Sequence, residues 1–166
     1  MNIFSILILP ALLHVVYTDM KNYQVHLISL LTVALLASIR FASTVQTPEL
    51  WVTILLNVVF VSILLGTLLV YSLIKRKKLT EQFAWGDILF LLVAVLCFSP
   101  INFMGFIIVS SITGILYYLI SHNTKKTKLI PFAGVMASII IINLSIDLLS
   151  SYSTFSDTWL TNILYR

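Results

Sequence analysis

Six long apolar runs, separated by short polar or basic segments, make up most of the chain. They cover Ile3–Tyr17, Val25–Ser43, Trp51–Ile74, Phe83–Phe98, Ile101–Ile120 and Leu129–Leu149. A helix that crosses a bilayer needs about 20 mostly apolar residues, and these runs do not resemble the short alternating strands of a membrane barrel. Helices also satisfy their own backbone hydrogen bonds in hydrocarbon. The pattern therefore predicts an all-α polytopic membrane protein, a bundle of about six transmembrane helices.

Composition indicates that the solvent of this chain is the lipid bilayer. Of its 166 residues, 60% are hydrophobic and only 10% are charged. We expect residues 1–166 to form a single integral-membrane domain, because the runs leave no room for a separate soluble one. The last segment, 150–166, is predicted to be a polar tail or to lie in the membrane interface. The only cysteine, Cys97, excludes an internal disulfide and a cysteine zinc site.

Basic residues predict how the helices are oriented. Eight of the ten follow runs one, three and five: Lys21, Lys75, Arg76, Lys77, Lys78, Lys125, Lys126 and Lys128. Lysine and arginine accumulate in cytoplasmic loops, so both termini are predicted to lie outside and the protein to reside in the cytoplasmic (inner) membrane. The net charge of +4 is then a topology signal, and we expect no nucleic-acid partner.

Two aspartates lie at the edges of apolar runs, where a charged side chain is costly. Asp19 follows the first run, and Asp87 lies near the start of the fourth. A carboxylate at membrane depth costs about 2.5–3.5 kcal/mol on insertion scales, so intramembrane acids are functional candidates. The predicted orientation places both on the cytoplasmic side. Two carboxylates that meet there would share a proton, so that one could activate water while the other acts as an acid.

Simpler interpretations of these acids remain open. Asp87 could be the N-cap of its own helix, where aspartate is favoured, and Asp19 could be a boundary residue offset by Lys21. A third acid, Asp147, is expected to be an interfacial residue near Asn143 on the outer side, away from any such pair.

The three histidines offer no competing chemistry in the sequence. His14 is expected to be packed or hydrogen-bonded within its helix, and His26 and His122 to face water at the cytoplasmic ends of their runs. No cluster has metal-ligand spacing, so we expect neither a metal nor a zinc protease.

Three short segments resemble motifs of the type IV prepilin peptidases, the membrane aspartic proteases that trim pilin leaders. Ala84-Trp85-Gly86-Asp87 is similar to the Gly-x-Gly-Asp motif of that family. Six residues after Asp19, Val25-His26-Leu27 stands where the family has an Ile-Pro-Asn-like element. Ile130-Pro131-Phe132, with Gly134 beyond, matches an Ile-Pro-Phe near the start of the family's last helix. The order of these segments covers nearly the whole chain.

The resemblance implies a six-helix peptidase that cleaves prepilin-like proteins at the cytoplasmic face without a cofactor. Asp19 and Asp87 would be the catalytic pair. Four further residues would support the active site: Gly86, Ala84, Trp85 and Pro131. Among these, Gly86 would allow backbone approach beside Asp87, and Trp85 could rest on the apolar stem of the substrate.

The chain also departs from the family pattern. Ala84 replaces the first glycine of the motif, and His26-Leu27 replaces the usual Pro-Asn, which leaves the shape of the first loop open. Many bacterial members carry a cytoplasmic domain with paired cysteines and methylate the new pilin N-terminus. This sequence resembles instead the short, peptidase-only members of tight-adherence pilus systems and the archaeal preflagellin peptidases. We therefore expect cleavage without methyltransferase activity.

Two alternative functions use the same pair of acids. A small proton-coupled transporter or channel component would relay protons through them, but such a relay should continue towards Asp147 on the far side. A presenilin-like protease would cut a spanning helix within the bilayer rather than a leader at the membrane boundary.

Overall fold

The computed structural model describes residues 3–44, 47–76, 84–122 and 130–149, and every regular element in them is a helix. The helices are α1 (Ile3–Asn22), α2 (Leu27–Thr44), α3 (Thr47–Lys75), α4 (Trp85–Ala94), α5 (Pro100–His122) and α6 (Phe132–Leu149). The all-α prediction is confirmed, and each helix corresponds to one apolar run. The predicted tail 150–166 and the lysines at positions 77, 78, 125, 126 and 128 lie outside the described residues.

Four of these helices are long and apolar enough to cross a membrane: α1, α3, α5 and α6. The apolar stretches of α2 and α4 are shorter, at Leu27–Ser43 and Trp85–Ala94. Large aliphatic side chains cover the outside of the bundle, and Ile28 and Ile74 are 80% and 74% exposed. So much exposed apolar surface is typical of a protein that is surrounded by lipid.

Helix α6 lies at the centre of the packing, in contact with α1, α4 and α5. Its first turns include three small residues that are all buried, Ala133, Gly134 and Ala137. Small side chains let helix backbones approach closely in membranes, where van der Waals packing rather than water exclusion holds helices together. The start of α6 can therefore approach the end of α1, which runs antiparallel to it.

Helix α4 is shorter than its apolar run predicts. The run continues to Phe98, but the helix ends at Ala94 after 10 residues, which span about 15 Å. A buried turn follows, and its carbonyl groups are satisfied from α3: the side-chain amide of Asn57 donates to the carbonyl oxygens of Val95 and Phe98 at 3.1 and 2.8 Å. Because these polar groups have a partner, the chain can turn inside the bundle.

Near the C-terminus of α6, Asp147 forms an ion pair with Arg40 of α2. The side chains of Arg40 and Asp147 are only 9% and 13% exposed. Asp147, which the sequence predicted to be an interfacial residue, is thus mostly buried and paired with a cation. Its negative charge is balanced by a cation from a helix 107 residues earlier in the chain. The pair joins the ends of α2 and α6.

Candidate active site

Asp19 and Asp87 converge on the N-terminus of α6. Asp19 lies near the end of α1, and its Oδ2 accepts a hydrogen bond from the backbone N–H of Gly134 at 2.6 Å. Asp87 lies in the first turn of α4, and its Oδ1 accepts from the N–H of Ala133 at 2.8 Å. Because the two donors are consecutive residues, these carboxylate oxygens are less than about 10 Å apart. The structure thus brings together the two residues that the sequence singled out, which we call the aspartate pair.

The start of α6 provides the reason for this convergence. The residue before the helix is the buried Pro131, whose side chain cannot accept a hydrogen bond. The first backbone N–H groups of a helix have no partner within it, and they form the positive end of the helix dipole. Asp19 and Asp87 supply the missing acceptors from two other helices. Sequence analysis overlooked Ala133, although the lack of a Ser, Thr, Asp or Asn cap before Phe132 signals that outside acceptors are needed.

Asp87 is not the N-cap of α4, the helix to which it belongs. The N-cap of α4 is Ala84, with φ −71° and ψ 145°, and no side chain caps the helix there. Asp87 is the third residue of α4, and its backbone N–H donates to the carbonyl of Ala84 at 3.0 Å. Its carboxylate is 6% exposed and points towards α6.

The structure does not show the pairing of Asp19 with Lys21 that the boundary interpretation assumes. Asp19 is only 4% exposed, so it does not lie at a solvated surface. Lys21, the proposed counter-charge, turns back along α1 instead: its Nζ donates to the hydroxyl of Tyr17 at 3.0 Å and lies 5.2 Å from the centre of that ring. The carboxylate of Asp19 faces the start of α6 instead, where it accepts from Gly134.

Glycines allow the two close approaches on which the site depends. A Cβ atom at Gly134 would lie 3.2 Å from Oδ2 of Asp19, so a side chain there would press on the carboxylate. At Gly86, a Cβ would lie 3.0 Å from Cγ2 of Val25. Gly86 therefore gives room to Val25 in the connection between α1 and α2, whose backbone nitrogen would lie 3.8 Å from such a Cβ. That connection begins at Tyr23, whose positive φ of 54° ends α1.

Of the other residues predicted to support the active site, Ala84 and Trp85 are exposed and Pro131 is buried. Ala84 and Trp85 begin α4 on the outside of the site, and Trp85 is 67% exposed. Pro131 is fully buried and lies two residues before Ala133, the first of the two N–H donors of α6. Only Gly86 and Pro131 are thus close to the packed interior.

A groove lies between α5 and α6, and Met20, near the end of α1, is among the residues that line it. Its volume is about 830 Å³. Met20, the neighbour of Asp19, and Tyr117 line one end, while Phe98 and Asn143 line the other. The lining between them is mostly apolar, with Ser138 among the few polar side chains. We call this cavity the α5/α6 groove. It is large enough to hold a ligand of substantial size.

No family model, curated protein or solved structure matches the chain. The likeness to prepilin peptidases therefore depends on the three short segments alone. In the fold these segments are neighbours. Val25 of the Val25-His26-Leu27 segment packs against Gly86 of Ala84-Trp85-Gly86-Asp87. Helix α6, which begins at the end of Ile130-Pro131-Phe132, donates hydrogen bonds to both aspartates.

Proposed function

We propose that this protein is a membrane aspartic endopeptidase that removes the leader from prepilin-like proteins at the cytoplasmic face of the inner membrane. The observation that supports it most strongly is the convergence of Asp19 and Asp87, from helices far apart in sequence, on consecutive N–H groups of α6. Two buried acids held so close together are the arrangement that aspartic proteases use.

The chemistry follows from the electrostatics of the pair. Two neighbouring carboxylates cannot both ionise easily, so they share one proton. The ionised member takes a proton from a water molecule that attacks the peptide carbonyl, and the protonated member donates to the carbonyl oxygen. The N–H groups of α6 hold Oδ2 of Asp19 and Oδ1 of Asp87. The other oxygen of each carboxylate is then the one that contacts water and substrate.

The α5/α6 groove suits the apolar stem of such a substrate. It begins at Met20, beside Asp19, and continues along the two helices with a mostly apolar lining. A substrate helix in this groove would present the junction with its leader to the aspartate pair. Trp85, exposed at the start of α4, could contact the same stem. The acidic side chain of Glu81 could bind a basic leader by its charge; it lies outside the described residues.

In this proposal all six helices lie within the membrane, with α4 the shortest, and both termini face outside. The aspartate pair is then on the cytoplasmic side, together with the ends of α1, α3 and α5. This orientation depends on the basic loops.

Cleavage of a co-expressed substrate tests the function. A short protein with a basic leader, a glycine and an apolar helix should lose its leader when this protein is present. Mass spectrometry of the mature N-terminus should find a free amine, because we expect no methyltransferase activity. An uncut substrate would contradict the proposal that the protein is a peptidase. An N-methyl group on the mature substrate, added when no other methyltransferase is present, would contradict the expectation that the protein lacks methyltransferase activity.

Gly134→Ala should reduce cleavage about tenfold or more. The new methyl group would lie 3.2 Å from Oδ2 of Asp19 and push the carboxylate out of line, and small misplacements of catalytic groups are costly. The control is Gly66→Ala in α3, where a Cβ would meet nothing within 4 Å. Cleavage rates of the two purified variants should therefore differ clearly. Equal rates would show that the fit between Gly134 and Asp19 is not needed.

The transporter alternative receives less support from the same structure. A proton relay through the bundle would need an acid at the far side, and Asp147 is there held in an ion pair with Arg40. Proteoliposomes with an internal pH dye would detect such a relay as proton entry that requires Asp19 and Asp87.

A further inference from the structure

Two histidines lie side by side on α1 and on the connection that follows it. His14 belongs to α1, and His26 lies in the connection just before α2. Their ring centres are 5.4 Å apart, and the ring planes are inclined by 38°. Both side chains are exposed, and His26 lies in the connection rather than in a helix, so an ion could reach the two rings from the side of the connection.

Ser29 orients one of these rings. Nδ1 of His14 lies 2.7 Å from the hydroxyl oxygen of Ser29 on α2. When Nδ1 donates its proton to Ser29, the lone pair of His14 is on Nε2. Histidines that bind metals commonly have this kind of partner on the second ring nitrogen, which fixes both the tautomer and the direction of the ring.

The separation of the rings matches that of two histidines on one metal ion. Zinc–nitrogen bonds are about 2.0–2.1 Å long, so two imidazoles at tetrahedral positions have ring centres roughly 5–5.5 Å apart. The observed separation of 5.4 Å lies within that range. Imidazole is a good ligand for Zn²⁺, Ni²⁺ and Cu²⁺, and Cu²⁺ binds most tightly in that series.

We propose that His14 and His26 bind a divalent transition-metal ion, with water completing the coordination. Within the described residues, no group of three or more His, Cys, Asp and Glu side chains could hold a metal. A site with two protein ligands exchanges its ion readily, unlike a closed structural site with four. The bound ion would join α1 to the connection whose Val25 packs against Gly86, and so would brace the aspartate pair from one side.

Copper binding by the whole chain, purified in detergent without a histidine tag, tests the site. One Cu²⁺ per chain should bind, with two imidazole nitrogens visible by electron paramagnetic resonance. His14→Gln and His26→Gln should each weaken binding about tenfold or more and remove one nitrogen from the spectrum. His122→Gln, which changes the third histidine of the chain, should leave both measurements unchanged.

A second variant tests the orientation of the ring. Ser29→Ala should weaken Cu²⁺ binding about tenfold while both nitrogens remain ligands, because outer-shell partners typically contribute that much. Copper that still binds to the His14→Gln/His26→Gln double variant, or that requires His122, would overturn the proposal. The measurement needs no substrate, so its outcome is independent of whether the protein is a peptidase.

Discussion

Asp147→Asn is expected to lower the free energy of unfolding by about 3–5 kcal/mol. The substitution leaves the guanidinium of Arg40 without its counter-charge, although that side chain is only 9% exposed. An unpaired charge in a buried position loses its solvation and gains nothing in return. Because the pair joins the ends of α2 and α6, we expect these helices to separate early in unfolding.

Thermal or denaturant unfolding in detergent micelles measures this effect. The double variant Arg40→Met/Asp147→Leu removes both charges and should be about as stable as the natural protein, since apolar replacements of a buried pair are often neutral. Glu49→Gln, an exposed acid in the first turn of α3, should change stability by less than about 0.5 kcal/mol. If the Asp147→Asn variant unfolds at the same temperature or denaturant concentration as the natural protein, the ion pair does not stabilise the bundle.

Within the described residues, the number, order and approximate limits of the helices could be predicted from the sequence, because each apolar run is long enough to determine one helix. The end of α4 could not. Its buried turn consists of apolar residues that look like a continuation of the helix, and the turn is stabilised by Asn57 from a different run. A side chain that satisfies a distant backbone leaves no local pattern.

The two aspartates could be found in the sequence because a carboxylate in an apolar run is costly. Their hydrogen-bond partners could not be found in this way. The donors are the backbone N–H groups of Ala133 and Gly134, and nearly every residue of any protein has such a group. The Arg40–Asp147 ion pair was missed for a related reason. Its members are 107 residues apart, and nothing in either segment specifies the other.

Asp19→Asn and Asp87→Asn are each expected to reduce leader cleavage by about 10³-fold or more. Asparagine has nearly the same shape as aspartate, and its carbonyl oxygen can still accept the hydrogen bond from Gly134 or Ala133. It cannot share or transfer the proton that the reaction needs. Both variants should therefore remain folded, and thermal stability could rise slightly because a half-protonated buried pair is costly to hold.

This choice of substitution separates catalysis from structure. If the aspartates serve only to cap α6, asparagine preserves the cap and cleavage should continue near the natural rate. If they are the catalytic pair, cleavage is lost although the helices stay in place. Glu49→Gln is the matched control, since it makes the same change at an exposed acid. Asp147→Asn is unsuitable because of its expected effect on stability.

The most direct test of the aspartate pair is the initial rate of leader cleavage by equal amounts of purified, folded protein. The rate is measured for the natural chain, Asp19→Asn, Asp87→Asn and the double variant. We predict that both single variants lose nearly all activity and that the double variant is no worse, because the two carboxylates act as one unit. Cleavage by either single variant at near the natural rate would contradict the assignment of Asp19 and Asp87 as a catalytic pair.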